Sequence, residues 1–352
     1  MSALSLGEFF REKGNNLNLI RLLAAFAVIY GHASAITGRG PNDIFLELVG
    51  YKFIGGVAVD VFFVISGYLI TQSAMSNNGL VYYSVSRVLR IYPALIVCIF
   101  LSVFVLGVVF TSDPEYVQSA QTWNYLWANS SAYSTEYFLP GVFVDLHSKA
   151  VNGSLWSLAV EVRLYLIILI LAVLGVFKSR ALFNSMFFFS IVIGYLRPEF
   201  WKFLFAYENH IHVAMMFVIG SFFYINRSNI YINAGILLFL MFFAASQHGT
   251  PSFGVAYAIL LPYLVFYVAF APGAQWFNQF GDYSYGVYLY GWISQQLVIM
   301  LVPESSNLFL TLLSSLLAFF LAVCSWHFIE KPAINWRKYF KRSNSMKVIT
   351  NE

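Results

Sequence analysis

Residues Leu17–Ile36, LNLIRLLAAFAVIYGHASAI, form an apolar run of the length that crosses a bilayer. About 20 residues at a rise of 1.5 Å each cover roughly 30 Å of hydrocarbon. Two ionisable residues interrupt the run, Arg21 and His32. Charge at the bilayer centre costs at least about 2.5–3.5 kcal/mol on insertion scales, so such positions are functional candidates by default. The eleven-residue spacing, at about 100° per residue, returns His32 to the face of Arg21 about 16 Å further along the axis. One groove can therefore touch both. Taken alone, the pair equally fits an arginine that snorkels to head groups and a histidine that bonds a neighbouring carbonyl.

The rest of the chain has the same character. Of its 352 residues 59% are hydrophobic, 19% aromatic and only 10% charged, which excludes a water-soluble domain of this size. Nine further runs qualify as spans: Ile54–Gln72, Leu89–Phe110, Leu155–Phe177, Leu182–Leu196, Ile211–Ile225, Ile230–Ala245, Phe253–Phe270, Tyr283–Val302 and Leu308–Phe328. The fifth and sixth of the ten are short. The expected fold is all-α, a polytopic integral membrane protein of about ten transmembrane helices. An even count puts both termini on one side. Placing them in the cytoplasm collects Arg11, Lys13, Arg21, Arg87, Arg90, Lys178, Arg180, Arg227 and six tail cations inside, against Arg39, Lys52, Lys149, Arg197 and Lys202 outside. The chain then divides into a cytoplasmic segment (1–16), a membrane domain (17–330) and a basic cytoplasmic tail (331–352). The longest connection, 111–154, faces outward. A connection of that length is a functional loop or an ordered lid, and its Tyr and Trp residues can pack on sugar rings.

Several features carry less. The net charge of +4 comes with six cations between Lys331 and Lys347 and no interleaved aromatics, so it is a membrane anchor rather than a nucleic-acid surface. Cys98 and Cys324 sit in apolar runs and report nothing about redox compartment. His210 and His212 lack a third ligand, and no metal site is expected. Arg11, Lys13, the apolar stretch Leu22–Tyr30 and Ala33-Ser34-Ala35 imitate a secretory signal, but cleavage there would discard both Arg21 and His32. Pro93 and Pro262 interrupt spans without any internal repeat of the kind many transporters show.

Other ionisable residues extend the pattern. Asp60 opens DVFFVISGYLI, where Ser66-Gly67 permits close helix approach, and its depth allows it to orient His32; it also reads as an interfacial acid at a helix start. Arg87 and Arg90, at i,i+3, present two guanidinium groups on one face, as a diphosphate clamp or as ordinary positive-inside anchoring. In WSLAVE, Ser157 and Glu161 lie one turn apart. The buried Glu161 must pair or protonate, with Arg163 or with a cation or histidine on another helix. Tyr285 and Tyr288 belong to a tyrosine ladder that lines a polar slot or forms an interfacial belt. In HFIEKP, Pro332 stops the last span and Glu330 bonds freed backbone groups, a structural ending.

Together these segments resemble the acyltransferase-3 family of polytopic membrane acyltransferases, from about Asn15 to Pro332. The first-span Arg21 and His32, Phe62–Tyr68, Arg87–Pro93, Trp156–Glu161, Ser284–Leu289 and Phe328–Pro332 are similar to six family motifs in order. Two departures matter. Gly291 stands where many members have histidine, and the chain ends at Glu352 without the SGNH-hydrolase-like domain many members append. Transfer is then expected to be completed by the membrane domain or by a partner.

The resemblance implies an O-acetyltransferase of a bacterial inner membrane. Its donor is cytoplasmic acyl-CoA, usually acetyl-CoA, used as a co-substrate with no tightly bound cofactor. Its acceptor is a hydroxyl of a cell-envelope or exported saccharide or lipid-linked glycan, which fixes neither the glycan nor the oligomeric state. Arg21, Arg87 and Arg90 would hold donor phosphates. His32 would act as general base or transient acyl carrier, assisted by Asp60 or Glu161. Ser66, Tyr68, Trp156, Ser157, Tyr285 and Tyr288 would line the slot. Intramembrane charge beside an aromatic slot also suits a transporter or flippase of a lipid-linked glycan.

Overall fold

A computed structural model describes residues 4–12, 14–39, 43–197 and 199–341. Lys13, Arg342, Lys347 and the side chain of Arg11, counted above as inside cations, lie outside the described residues. The chain is an all-α polytopic membrane protein. Among the described residues the only extended pairings are the isolated bridges Ser5 to Tyr231 and Thr111 to Val142.

Each of the ten apolar runs coincides with a helix. We label them α1 (Leu17–Thr37), α2 (Ile54–Ala74), α3 (Leu80–Leu101), α4 (Trp156–Val173), α5 (Arg180–Leu196), α6 (Glu208–Ile225), α7 (Ala234–Ser246), α8 (Phe253–Ala269), α9 (Ser284–Leu301) and α10 (Asn307–Ser325). By length and composition five are apolar and long enough to cross a membrane: α1, α2, α3 with its continuation to Phe110, α4 with its lead-in from Gly153, and α10 with its continuation to Phe340. Of the two runs expected to be short, the fifth falls below spanning length and the sixth, at 18 residues, does not; the seventh and eighth are also short. At 13 residues, α7 is about 20 Å long, less than the roughly 30 Å hydrocarbon layer.

The third helix starts at Leu80 rather than Leu89, so Arg87 and Arg90 stand on its second and third turns instead of ahead of it. It continues through a π-helical stretch, Ser102–Gly107, to Phe110. The outward surface is greasy: Leu238, Phe239 and Phe242 on α7 and Phe188 and Phe189 on α5 are all exposed, as lipid-facing side chains should be.

Small residues set the helix crossings. A Cβ at Gly67 would lie 1.9 Å from the Phe217 carbonyl oxygen, and one at Gly220 only 2.1 Å from that of Val64. The α2–α6 crossing is therefore a backbone-to-backbone contact, the kind that small residues permit between membrane helices. The α1–α2 crossing is built alike, since a Cβ at Gly31 would meet the Gly55 nitrogen at 2.5 Å. His32 follows Gly31 directly, so its position relative to α2 is fixed by the tightest point of that crossing.

The two ends of the bundle differ. One gathers the starts of α1, α3 and α9 with the ends of α2 and α10, and carries Arg21, Arg87 and Arg90. The other carries the 111–154 connection, which contains a helix over Ala120–Ser131 and folds onto α9. The connection is pinned there by Trp292 Nε1 donating to the Ala150 carbonyl at 2.9 Å. Gln296 Nε2 donates to Ala150 and Ser148, and Asn152 Nδ2 donates to Leu289 at 2.9 Å.

Candidate active site

At the arginine end a cavity of about 340 Å³ opens between α1, α2, α3, α4 and α9. Arg21, Arg87 and Arg90 all line it, so the three cations predicted from separate motifs are brought together. Asp282, which the sequence reading passed over, organises them. Its Oδ2 accepts from Arg21 Nη1 at 2.5 Å and from Arg90 Nη2 at 2.6 Å, while Oδ1 accepts from the Ser284 hydroxyl at 2.5 Å. Arg90 also reaches Glu330 at 3.5 Å. Glu330 is 1% exposed and takes the Ser325 hydroxyl at 3.0 Å. The expectation that Glu330 bonds freed backbone groups is thereby corrected, since its partners are side chains. Arg337, placed in the tail by sequence, lines the same cavity.

Arg87 stands apart from this network. It forms no ion pair among the described residues, and its Nε is buried without a hydrogen-bond partner, as is the neighbouring Ser86 hydroxyl. Buried donors without partners are uncommon and call for an explanation. Here both residues line the cavity.

Burial alone would raise the Asp282 carboxyl, but Arg21 and Arg90 outweigh it and hold the group down at about 2, from an ordinary value of 3.8. A carboxyl with a depressed folded value stabilises the fold in full above its ordinary value and loses that contribution as pH falls through the folded one. Stability should therefore drop by about 2 kcal/mol as pH falls from about 4 to about 2. Unfolding measured against pH should show this step in the wild type, and Asp282→Asn should lack it.

The cavity narrows toward the loop end into a space of about 40 Å³, with Arg21, Ser66, Glu161 and Tyr285 common to both. Ser157 and Tyr288 line the narrow part. Tyr288 donates to the Ser154 carbonyl at 3.0 Å, which makes Ser157 the donor in its 2.6 Å bond to the Tyr288 hydroxyl. Tyr285 donates to the Ile91 carbonyl at 2.9 Å. Glu161 Oε1 accepts from Ser66 at 3.1 Å and from Tyr165 at 2.5 Å. Among the described residues neither partner expected for it bonds it: Arg163 turns away to the Tyr133 carbonyl at 2.8 Å, because two residues along a helix are about 200° apart.

Phe62 and Tyr288 close the narrow part edge to face, with centroids 5.6 Å apart. One turn beyond Tyr288 on α9 is Trp292, whose ring meets His32 at 5.0 Å; Phe53 meets His32 from another side at 5.6 Å. His32 is thus half-buried, flanked by aromatic rings on two sides, and lines neither cavity. Its Nδ1 lies 2.8 Å from the Val28 carbonyl oxygen. A carbonyl only accepts, so Nδ1 carries the proton and the basic lone pair of the neutral ring is on Nε2.

Three placements correct the sequence expectations. Asp60 does not orient His32. It is fully buried and holds Lys52 at 2.7 Å, His212 at 3.0 Å and Tyr257 at 2.6 Å. It lies five residues after Gly55, about 140° round α2 from the face that meets α1. Tyr68 does not line the slot either; two residues after Ser66, it faces a different cavity. Trp156, adjacent to Ser157, lines a third cavity and stacks on His210 with centroids 5.4 Å apart. No cluster of three or more His, Cys, Asp or Glu side chains able to hold a metal occurs among the described residues. At Gly291 a Cβ would come within 2.9 Å of Ile29, so the helix contact leaves little room for the imidazole that many members carry.

Trp292 was missed along with Asp282. Both had a local signal: Asp282 lies two residues before Ser284 of the Ser284–Leu289 motif, and Trp292 continues the face of Tyr285 and Tyr288 at helical spacing.

The chain is thus a helical membrane bundle with a basic cavity at one end and a half-buried histidine beyond it. The family model described as an acyltransferase domain, acyltransferase-3, matches residues 15–328, and the chain belongs to that family. It is 29% identical over 337 residues to an O-acetyl transferase of Shigella phage Sf6, covering 91% of this chain and 96% of the phage protein. It is 24% identical over 364 residues to nodulation protein 10 of Rhizobium leguminosarum bv. viciae, covering 92% and 94%. No solved structure matches it. The chain is a membrane O-acyltransferase.

Proposed function

We propose that this enzyme moves an acetyl group from cytoplasmic acetyl-CoA to a hydroxyl of a cell-envelope or exported saccharide at the bacterial inner membrane. Residues 1–16 and 331–352 would lie in the cytoplasm and the 111–154 connection outside. The observation that carries the proposal is the arginine cavity, where the unpartnered Arg87 Nε and Ser86 hydroxyl stand beside Arg21 and Arg90. Such a cluster suits the phosphates of a coenzyme, which take charge-assisted hydrogen bonds from guanidinium groups. The name of the phage relative supports acetyl as the group transferred.

From the arginines to His32 is about 16 Å along α1, a distance a pantetheine arm can bridge. The arm must part Phe62 from Tyr288 to reach the histidine, so donor entry opens this ring pair. His32 Nε2 is the reacting atom in either route. As a base it accepts the proton of the acceptor hydroxyl while the oxygen attacks the thioester carbonyl. The carbon–oxygen bond forms, the carbon–sulfur bond breaks, and the imidazolium returns the proton to the coenzyme thiolate. As a carrier it attacks the thioester carbonyl itself, the carbon–nitrogen bond forming as the carbon–sulfur bond breaks and the coenzyme leaves as thiolate; the hydroxyl oxygen then takes the acetyl group as the carbon–nitrogen bond breaks, and its proton passes by way of Nε2 to the thiolate. In both, the Val28 carbonyl fixes the tautomer that leaves Nε2 available.

Purified protein in proteoliposomes, given labelled acetyl-CoA and candidate envelope glycans, should place label on the glycan in proportion to coenzyme A released. Movement of unmodified glycan with the donor left intact would instead establish a transporter.

A further inference from the structure

Tyr68 lines not the arginine cavity but a separate one of about 540 Å³ at the same end of the bundle, on the opposite flank of α2. Arg180 at the start of α5 and Arg227 just after α6 line it. No carboxylate lines it, and neither arginine takes part in an ion pair among the described residues. Arg227 Nη1 donates to the Tyr224 carbonyl at 2.8 Å, with the guanidinium 4.1 Å from that ring; Arg180 Nη1 donates to Asn229 at 2.9 Å. Each guanidinium retains further N–H donors. At the rim, the Glu8 carboxylate accepts from the Ser5 nitrogen and hydroxyl, both at 2.7 Å.

Tyr68 is the second, independent observation. It is 1% exposed, its ring is held by Phe10 at 4.5 Å, Phe266 at 4.9 Å and Tyr224 at 5.2 Å, and its buried hydroxyl has no partner. A rigidly packed tyrosine with an unbonded hydroxyl, lining a cavity with two unpaired arginines and, among the described residues, no acid, matches a tetrahedral anion with several acceptor oxygens. We infer that this cavity binds a phosphate-bearing anion, supplied either as the headgroup of an anionic phospholipid or as a soluble phosphate ester. Leu182, Met186 and Phe189 are exposed on α5 above Arg180, giving an acyl chain an apolar track beside the cavity. The inference is independent of the acyl-transfer proposal.

The test uses the full-length protein in detergent, titrated with dioleoyl phosphatidylglycerol, dioleoyl phosphatidylcholine and glycerol 3-phosphate by native mass spectrometry. Tighter binding of phosphatidylglycerol than of phosphatidylcholine, weakened about tenfold in Arg180→Gln with Arg227→Gln, identifies a lipid headgroup site. Binding of glycerol 3-phosphate, lost in the same variant, identifies a soluble ester. Tyr68→Phe keeps the ring stack and removes only the hydroxyl, so it tests the site without disturbing the helices, and it should weaken the same probe severalfold. If no phosphate-bearing probe binds, or if both variants bind as the wild type does, the site is refuted.

Discussion

Replacing His32 with glutamine should lower acyl transfer by about 10²- to 10⁴-fold, the usual contribution of a positioned general base, without loss of protein from the membrane. Glutamine fills much of the space between Phe53 and Trp292 and disturbs the Gly31–Gly55 crossing least, so loss of activity reports chemistry rather than folding. A variant that turns over at the wild-type rate removes His32 from the mechanism. Donor alone separates the two routes: an acetyl group recovered on the His32 peptide after rapid quenching identifies the carrier route, whereas its absence at full activity identifies the base.

The second large effect concerns stability. Arg90→Ala should destabilise the fold by about 3–5 kcal/mol, the range for breaking a buried ion pair from one side. Its guanidinium is the partner of both Asp282 and Glu330, and its removal strips one cation from each of these buried acids. Arg87→Ala should behave differently, because Arg87 has no ion pair to lose. It should leave the unfolding midpoint near that of the wild type and weaken coenzyme A binding by about 10- to 100-fold, the value of one or two charge-assisted hydrogen bonds. Unchanged coenzyme A affinity in Arg87→Ala would remove the donor role of the cavity. The two arginines look alike at i,i+3 spacing, yet one is a structural keystone and the other an unengaged donor.

Ten apolar runs became ten helices because a membrane span is decided by local composition: about 20 residues must be apolar, and polar breaks must separate them. The start of α3 was misplaced because Leu80–Val88 is amphipathic, with exposed and buried residues alternating at helical spacing, and hydropathy alone does not register such a turn. Arg21, Arg87 and Arg90 were legible as intramembrane or membrane-flanking charge. That they share Asp282 was not, since nothing local to Asp282 names partners 261 and 192 residues distant.

The slot residues show the same limit. Ser66, Ser157, Tyr285 and Tyr288 line one continuous space, whereas Tyr68 and Trp156, from the same motifs, line others. A motif fixes neighbours along the chain, but successive helical residues point about 100° apart, and only packing determines which neighbour each direction meets.

By itself, then, the sequence determined that the chain is an all-helical membrane protein, where its apolar helices lie, and which charged residues demand an explanation. The energetic cost of polarity in lipid acts on each residue separately. The tertiary structure alone decided that Asp60 turns to Lys52, His212 and Tyr257 instead of His32, that a carbonyl on its own helix fixes the His32 tautomer, and that Phe62 and Tyr288 meet edge to face in the narrow space beyond the arginine cavity. Those outcomes depend on how helices rotate and cross at Gly31–Gly55 and Gly67–Gly220, a property of pairs of surfaces that no single segment contains.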